Sequence, residues 1–323
     1  MGIQLGGSFT RILFATDVHG SDPVWKKFIR GAERYKANIL IIGGDITGKN
    51  VVAVTENGDG SYTANFLEQR HLLKNKEELK KFEDNVRTTG TYMYIGSASE
   101  MSELAHDKVR AEKIFSELVL QRLREWVEFA DKNATVPMYV NAGNDDEPGV
   151  DDILGASKKI VQPEDKVVQI DSKHEMISGG FANITPWHCP RDLTEDEIAM
   201  RLEKKIQLLK DPKSAIFNMH CPPINSGLDT CPKLDTSFNP PKPFMDAGGV
   251  VLFGAGSTAV RAAIEKYQPM LGLHGHIHES KNVAKIGKTV CINPGSEYGE
   301  GVLRGVLVNI EDSGYKSYQF VAG

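Results

Sequence analysis

The chain predicts an α/β fold, and three observations carry that prediction. Five short aliphatic runs, at residues 11–15, 39–42, 136–140, 215–218 and 270–273, are bounded by Gly or polar residues, the pattern of buried strands. Between the first two, Val24, Phe28, Ile29, Ala32 and Tyr35 recur at helical spacing, so the first unit reads strand, helix, strand and favours a parallel pair. Each run is followed at once by metal-binding side chains: Asp17-Val18-His19, Gly44-Asp45, Gly143-Asn144-Asp145, Met219-His220 and Gly275-His276-Ile277-His278. In an open α/β sheet the ligand site lies beyond the carboxyl ends of the strands, so groups far apart in sequence converge there.

The donors reached this way are two carboxylates, Asp17 and Asp45, one amide, Asn144, and four imidazoles, His19, His220, His276 and His278. Carboxylate with imidazole suits first-row divalent cations, and the absence of thiolate argues against a structural zinc or an iron–sulfur cluster. Seven donors exceed what one tetrahedral or octahedral ion needs if water is to keep a place. Two ions sharing one carboxylate accommodate them, with Asp45 as the natural bridge. Such a pair, roughly 3.5–4 Å apart, clamps the attacking and leaving oxygens of a phosphoryl centre, and water between the ions is ionised near neutral pH.

Along the chain these motifs read D-x-H, G-D, G-N-x-D, a lone His and G-H-x-H, and in that order, over residues 17–278, they resemble the calcineurin-like metallophosphoesterase family. The resemblance implies a four-layer αββα sandwich, two mixed sheets packed face to face with helices outside. It implies that Asp17, His19 and His278 hold one metal, that Asn144, His220 and His276 hold the other, and that Asp45 bridges them. It further implies a hydrolase for a small phosphorylated substrate, a nucleotide or other phosphodiester included, with Mn²⁺, Fe²⁺ or Zn²⁺ as the cations. One position departs from the family. Many members carry His, which protonates the leaving oxygen, where this chain has Asp145. The carboxyl takes that role only if burial and neighbouring carboxylates raise its pKa; otherwise it orients a water or His220. Catalytic roles are expected of Asn144, Asp145 and His220.

Composition narrows the partners. The motif order argues for a single domain across all 323 residues, since ligands from both ends of the chain must meet. A net charge of −5 gives no electrostatic footprint for nucleic acid. No leader-like basic and apolar start and no run of roughly 18 apolar residues is present, so a cytoplasmic protein without a membrane span is expected. Cys189, Cys221, Cys231 and Cys291 show no C-x-x-C spacing and are expected to be reduced.

After the first strand, helix and strand, residues 49–134 read as a mostly helical insertion. It opens with a polar stretch at 51–64, where Glu56-Asn57-Gly58-Asp59-Gly60 signals a hairpin turn, and continues with helices expected over 71–88 and 105–132. The segment 91–96 between them is expected to pack the insertion. Past Asn144 come strands at 167–170 and 175–177, then a helix from Glu195 with Thr194 as N-cap and Glu197 completing a capping box. Residues 221–243 read as a long loop beside His220. A strand at 250–253, a helix at 258–267 and closing strands at 290–292 and 302–310 complete the chain.

Two further features invite binding roles. His188 and Arg191 follow Trp187 in a loop, where His188 could contact the substrate and Arg191 a phosphate oxygen, against the plainer reading of a loop with Trp187 packed beneath it. Gly254-Ala255-Gly256-Ser257-Thr258-Ala259 matches a dinucleotide fingerprint after an apolar run, but without the expected acidic residue at a following strand tip it reads better as a capped turn into a helix. Two other functions therefore stand beside phosphoester hydrolysis: a non-catalytic metal-binding scaffold of the same fold, and nucleotide binding at 254–259.

Overall fold

The computed structural model describes residues 9–238 and 240–323. All five apolar runs form strands: Thr10–Ala15, Ile39–Ile42, Met138–Val140, Ile216–Met219 and Leu271–Leu273. They divide between two six-stranded mixed sheets. The first runs Gly314–Ala322, Arg304–Glu311, Thr10–Ala15, Ile39–Ile42, Met138–Val140, Ile160–Val161. The second runs Asn282–Ile286, Thr289–Asn293, Leu271–Leu273, Ile216–Met219, Glu175–Gly179, Val167–Gln169. In the first sheet the four strands from Thr10–Ala15 to the Ile160–Val161 edge are parallel and the antiparallel strands lie on one side only, whereas the second has a parallel centre with an antiparallel strand at each edge; within each sheet the parallel strands point their carboxyl ends the same way.

Alternation along the strands decides what each face meets. Ile12 and Phe14 of Thr10–Ala15 join Ile39, Ile41, Met176, Ile216, Leu271 and Ile292 in one core, which is how the two sheets pack on each other. Leu13 and Ala15 point the opposite way, into a second core. That core is filled by helices α1 (Asp22–Tyr35), α4 (Lys108–Asn133) and α5 (Gly149–Gly155), with Trp25 stacked on Trp126 at 4.8 Å. A third core joins the far face of the second sheet to α6 (Glu195–Ile206) and α7 (Thr258–Tyr267). The capping box on α6 forms as its sequence predicts, with Thr194 accepting from the Glu197 amide and Glu197 accepting in return from Thr194 N.

The 49–134 segment holds more β structure than its sequence suggested. Strands Gln69–Leu73, Tyr62–Phe66, Val51–Glu56 and Tyr92–Ser97 form a four-stranded sheet, carrying helices α2 (Lys76–Thr88) and α3 (Ala98–Leu104). The hairpin turn expected at 56–60 joins Val51–Glu56 to Tyr62–Phe66. Helix α2 starts at Lys76 rather than 71, because Asn75 caps it and a tight turn through Leu67 and Glu68, both at positive φ, folds Gln69–Leu73 back onto Tyr62–Phe66. The 91–96 segment pairs in parallel with Val51–Glu56, and Tyr92 also reaches out of the insertion, its hydroxyl oxygen accepting from the Gly48 amide at 3.0 Å. The region expected as a loop at 221–243 and a strand at 250–253 instead forms short antiparallel pairs, Thr230–Pro232 with Leu252–Gly254, Leu234–Asp235 with Lys242–Pro243, and Met245–Asp246 with Gly249–Val250. Among the described residues no helix is long and apolar enough to cross a membrane, and all four cysteines are free.

Candidate metal centre

The loops after the five strands read from the sequence carry the candidate donors. The loop leaving Thr10–Ala15 runs beside the loop leaving Ile39–Ile42, with Asp17 N bonded to Gly44 O and His19 N to Asp45 O, both at 3.0 Å. The loop after Leu271–Leu273 is hung on the first by Asp17, whose carboxylate accepts from the His276 amide at 3.0 Å. Two motif glycines make the approach possible. A Cβ on Gly143 would strike the Asp45 carboxylate and amide, and one on Gly275 would strike the Asp17 carboxylate and Thr16 hydroxyl. Asp17, His19, Asp45 and His276 all sit at positive φ, between 39° and 68°. Backbone held there in non-glycine residues is strained, and such strain persists only where surrounding structure enforces it.

The side chains converge as follows. His278 Nε2 lies 3.2 Å from Asp17 Oδ1 and 3.1 Å from His19 Nε2. Asp45 Oδ2 lies 3.6 Å from His19 Nε2 and 3.3 Å from His220 Nε2, between the two groups. Asp17, His19 and His278 form one set with mutually close donor atoms, and Asp45, His220 and His276 form another. Asn144 lies between Gly143 and Asp145, both of which abut Asp45. Its amide nitrogen donates to Asp192 Oδ1 at 3.0 Å, which assigns the amide and leaves Oδ1 turned the other way. His19 and His220 turn their Nδ1 atoms toward the carbonyls of Thr47 and Gly43, at 3.3 and 3.2 Å, leaving Nε2 for the centre.

The arrangement fits divalent cations on its own terms. Asn144 Oδ1 is buried without a hydrogen-bond partner among the described residues, and His220 Nε2, though 3.3 Å from Asp45 Oδ2, makes no well-directed hydrogen bond, a costly state for polar atoms. A buried amide oxygen and an imidazole nitrogen next to a carboxylate are donors that a cation would satisfy. Proton affinities in the cluster are pulled apart. Burial pushes His19 down to about 3 and His276 down to about 4. Burial also opposes the charged form of His220, but Asp45 and Asp17 overcome it and raise the imidazole to about 9. Asp17 and Asp45 are held below the ordinary carboxylate range, burial being outweighed by the imidazoles around them.

Asp145 lies at the edge, its amide donating to Asp45 Oδ1 at 3.1 Å. Burial and the Asp45 charge raise its pKa, while an ion pair with Lys49 and a 2.7 Å bond from the Cys189 thiol act the other way. The other sequence candidates lie elsewhere in the loop that bears Cys189. Arg191 donates to the carbonyl oxygens of Asp146 and Glu147 and pairs with Asp151 at 2.7 Å, so its guanidinium clamps the loop after Asn144. His188 is exposed, and so is Trp187, at 62%, rather than packed beneath the loop. The Gly254–Ala259 turn is occupied from within. Glu195 accepts from Ser257 Oγ and from the amides of Thr258 and Ala259, where a pyrophosphate would have to sit.

Four residues that sequence reasoning passed over shape the centre. Lys49 is the cation paired with Asp145. Asp192 orients Asn144 and also accepts from Thr185 and the Cys189 amide. Asp146, fully buried, accepts from the amides of Gly143, Ile46 and Thr47 and from the Thr47 hydroxyl, tying two ligand-bearing loops together. Tyr298 lies 4.6 Å from the His19 ring and 5.8 Å from the His278 ring. Asp146 alone had a readable signal, standing at the end of G-N-x-D.

No family profile matches the chain. Over 214 residues it is 28% identical to an uncharacterized protein of Methanocaldococcus jannaschii, the match covering 63% of this chain and 88% of that protein. In structure it is similar to the Thermus thermophilus protein TT1561, with a TM-score of 0.53 and 11% identity over 98% of this chain and 99% of that one. A further solved structure aligns with a TM-score of 0.57 and 16% identity over 97% of this chain and 99% of the other. At these identities the structural likeness speaks to the fold, a mixed α/β architecture shared along nearly the whole chain.

Proposed function

We propose that this chain is a phosphohydrolase working with two divalent cations, and that it cleaves a phosphodiester in preference to a monoester. The observation that carries this reading is the convergence of Asp17, His19, Asp45, His220, His276 and His278, with a buried, unpartnered Oδ1 on Asn144 in the loop that abuts Asp45. Asp17, His19 and His278 would hold one cation, Asn144, His220 and His276 the other, and Asp45 would bridge them. The two sheets with their flanking helices are read as a four-layer sandwich, a single domain into which the 49–134 segment is inserted. The free thiols suit a reducing compartment such as the cytoplasm.

Two such cations supply Lewis-acid polarisation of a phosphoryl oxygen and activation of water near neutral pH. The chain's own contribution is to fix the donors. Asp192 holds the Asn144 amide, Gly43 O and Thr47 O hold two imidazoles, and neutral Asn144 keeps the negative charge of the centre low enough for an anion to approach. The diester preference rests on Asp145: paired with Lys49, it leaves no net charge at that edge, which suits the single charge of a diester better than the two of a monoester.

The test is hydrolysis of matched aryl phosphomonoester and phosphodiester substrates by chelated and then Mn²⁺-restored protein, with a metal count per chain. Turnover restored by metal, faster on the diester, is the expected result. Asp45→Asn, which removes the bridge, should lower turnover at least a thousandfold, an order of magnitude of about 4 kcal/mol in the barrier. Retained activity in a metal-replete Asp45→Asn sample would sink the scheme, and two metals bound without turnover would leave a scaffold.

A further inference from the structure

An anion entering this centre needs a cation with protons to spare, and the surrounding basic residues differ sharply in this respect. Arg191 is spent on Asp151 and two carbonyls and Arg304 pairs with Glu297 at 2.6 Å, while Lys281 keeps its protons but carries its ammonium over the Phe320 ring of the edge strand Gly314–Ala322. Lys49 stands apart. It follows Asp45 by one short loop, its side chain remains 46% exposed although its ammonium pairs with Asp145, and that carboxylate lies within 4.8 Å of donor atoms of His19 and Asp45.

The loop that bears it is fixed from both sides. Thr47 donates its amide and hydroxyl to Asp146, and the Gly48 amide donates to the Tyr92 hydroxyl of the inserted sheet. Asp145 is itself aimed, since its second oxygen accepts from the Cys189 thiol at 2.7 Å. An ammonium has three protons to donate. With one given to Asp145, the others remain for the non-bridging oxygens of a phosphoryl group lying against the donors of the centre.

We propose that Lys49 is the phosphate-binding cation of this centre and that Asp145 is the positioning residue that holds its ammonium at the rim. The proposal rests on the phosphohydrolase reading for what the anion is, and it gives the inserted sheet a role, since Tyr92 supports the lysine's loop. A charge-assisted hydrogen bond of this kind corresponds to about ten- to a hundredfold in affinity.

The test is calorimetric titration of metal-replete protein with inorganic phosphate, comparing the native chain with Lys49→Ala, Lys49→Gln and Lys49→Arg at equal metal content. Phosphate affinity should fall about tenfold or more in the first two and be largely kept in Lys49→Arg. KM should rise in parallel for an aryl phosphoester. The losses from Asp145→Ala and Lys49→Ala should be non-additive, as independent groups would not be. Unchanged phosphate affinity in both neutral variants, or no phosphate binding by the native chain, overturns the proposal; strictly additive losses overturn the role given to Asp145. The two readings separate cleanly: no metal-stimulated turnover with a Lys49-dependent phosphate site defeats hydrolysis alone, and metal-stimulated turnover with an indifferent Lys49 defeats this inference alone.

Discussion

Asn144 shows how much of a candidate ligand's behaviour is decided by the residue behind it. Its amide can present either oxygen or nitrogen to the centre, and Asp192, which can only accept, takes the nitrogen at 3.0 Å and leaves the oxygen for a cation. Removing that acceptor frees the amide to rotate. Asp192→Ala should therefore weaken metal binding by about 10–100-fold, the usual scale for outer partners of a ligand, while the far set, Asp17, His19 and His278, is retained. Metal titration would show this as one weakened site of two; equal weakening of both, or of neither, would refute it. The seven candidate donors could be picked out because each follows closely on an apolar run. Asp192 and Lys49 were not, since an isolated charged residue in a loop carries no local sign of the partner it meets after folding.

At the scale of elements, the strands with both faces buried could be read directly, because their apolar content is continuous. The inserted sheet could not: Val51–Glu56 and Gln69–Leu73 are half exposed, and their mixed composition looks like polar loop or helix surface. The last strand, Gly314–Ala322, lies at a sheet edge with no fully buried residue and was missed for the same reason. What joins the insertion to the body is also invisible locally. Asp22, at the start of α1, accepts from Arg87 of α2 at 2.7 Å and from the Trp126 indole of α4 at 2.6 Å. Burial alone would raise its pKa, but these two donors and the Arg87 charge hold it below its ordinary value. Because the folded pKa is depressed, the stability it contributes is present above the ordinary value of 3.8 and is lost as pH falls through the lower, folded value. Asp22→Ala should cost about 1–2 kcal/mol at neutral pH, since it leaves the Trp126 indole N–H without its acceptor and takes one carboxylate from Arg87, which keeps Glu125. The gap between native and Asp22→Asn stability should narrow below pH 3.8. Urea unfolding at pH 7 and in acid measures both, and a gap that does not change with pH would show that the ion pair is not the source.

Across the whole molecule, the donors span residues 17 to 278 and reach the centre from strands of both sheets. An unfolded chain has no way to present them together, so any cation bound there is bound to the folded state alone. Without cations, folding forces Asp17 and Asp45 together with four imidazoles and leaves two polar atoms bare. Cation binding relieves that cost and adds to stability as RT ln(1 + [L]/Kd), about 2.7 kcal/mol when the free ion is at a hundred times its dissociation constant. In a chain of this length a few kcal/mol corresponds to a shift of several degrees in melting temperature. Chelated protein should thus melt several degrees below Mn²⁺-restored protein. The shift should shrink strongly in Asp45→Asn, which touches both cations, and only partly in Asp192→Ala, which reaches one. A scanning-fluorimetry series over metal concentration reads all three. A shift of equal size in all of them would mean that the stabilising ion binds somewhere other than this centre.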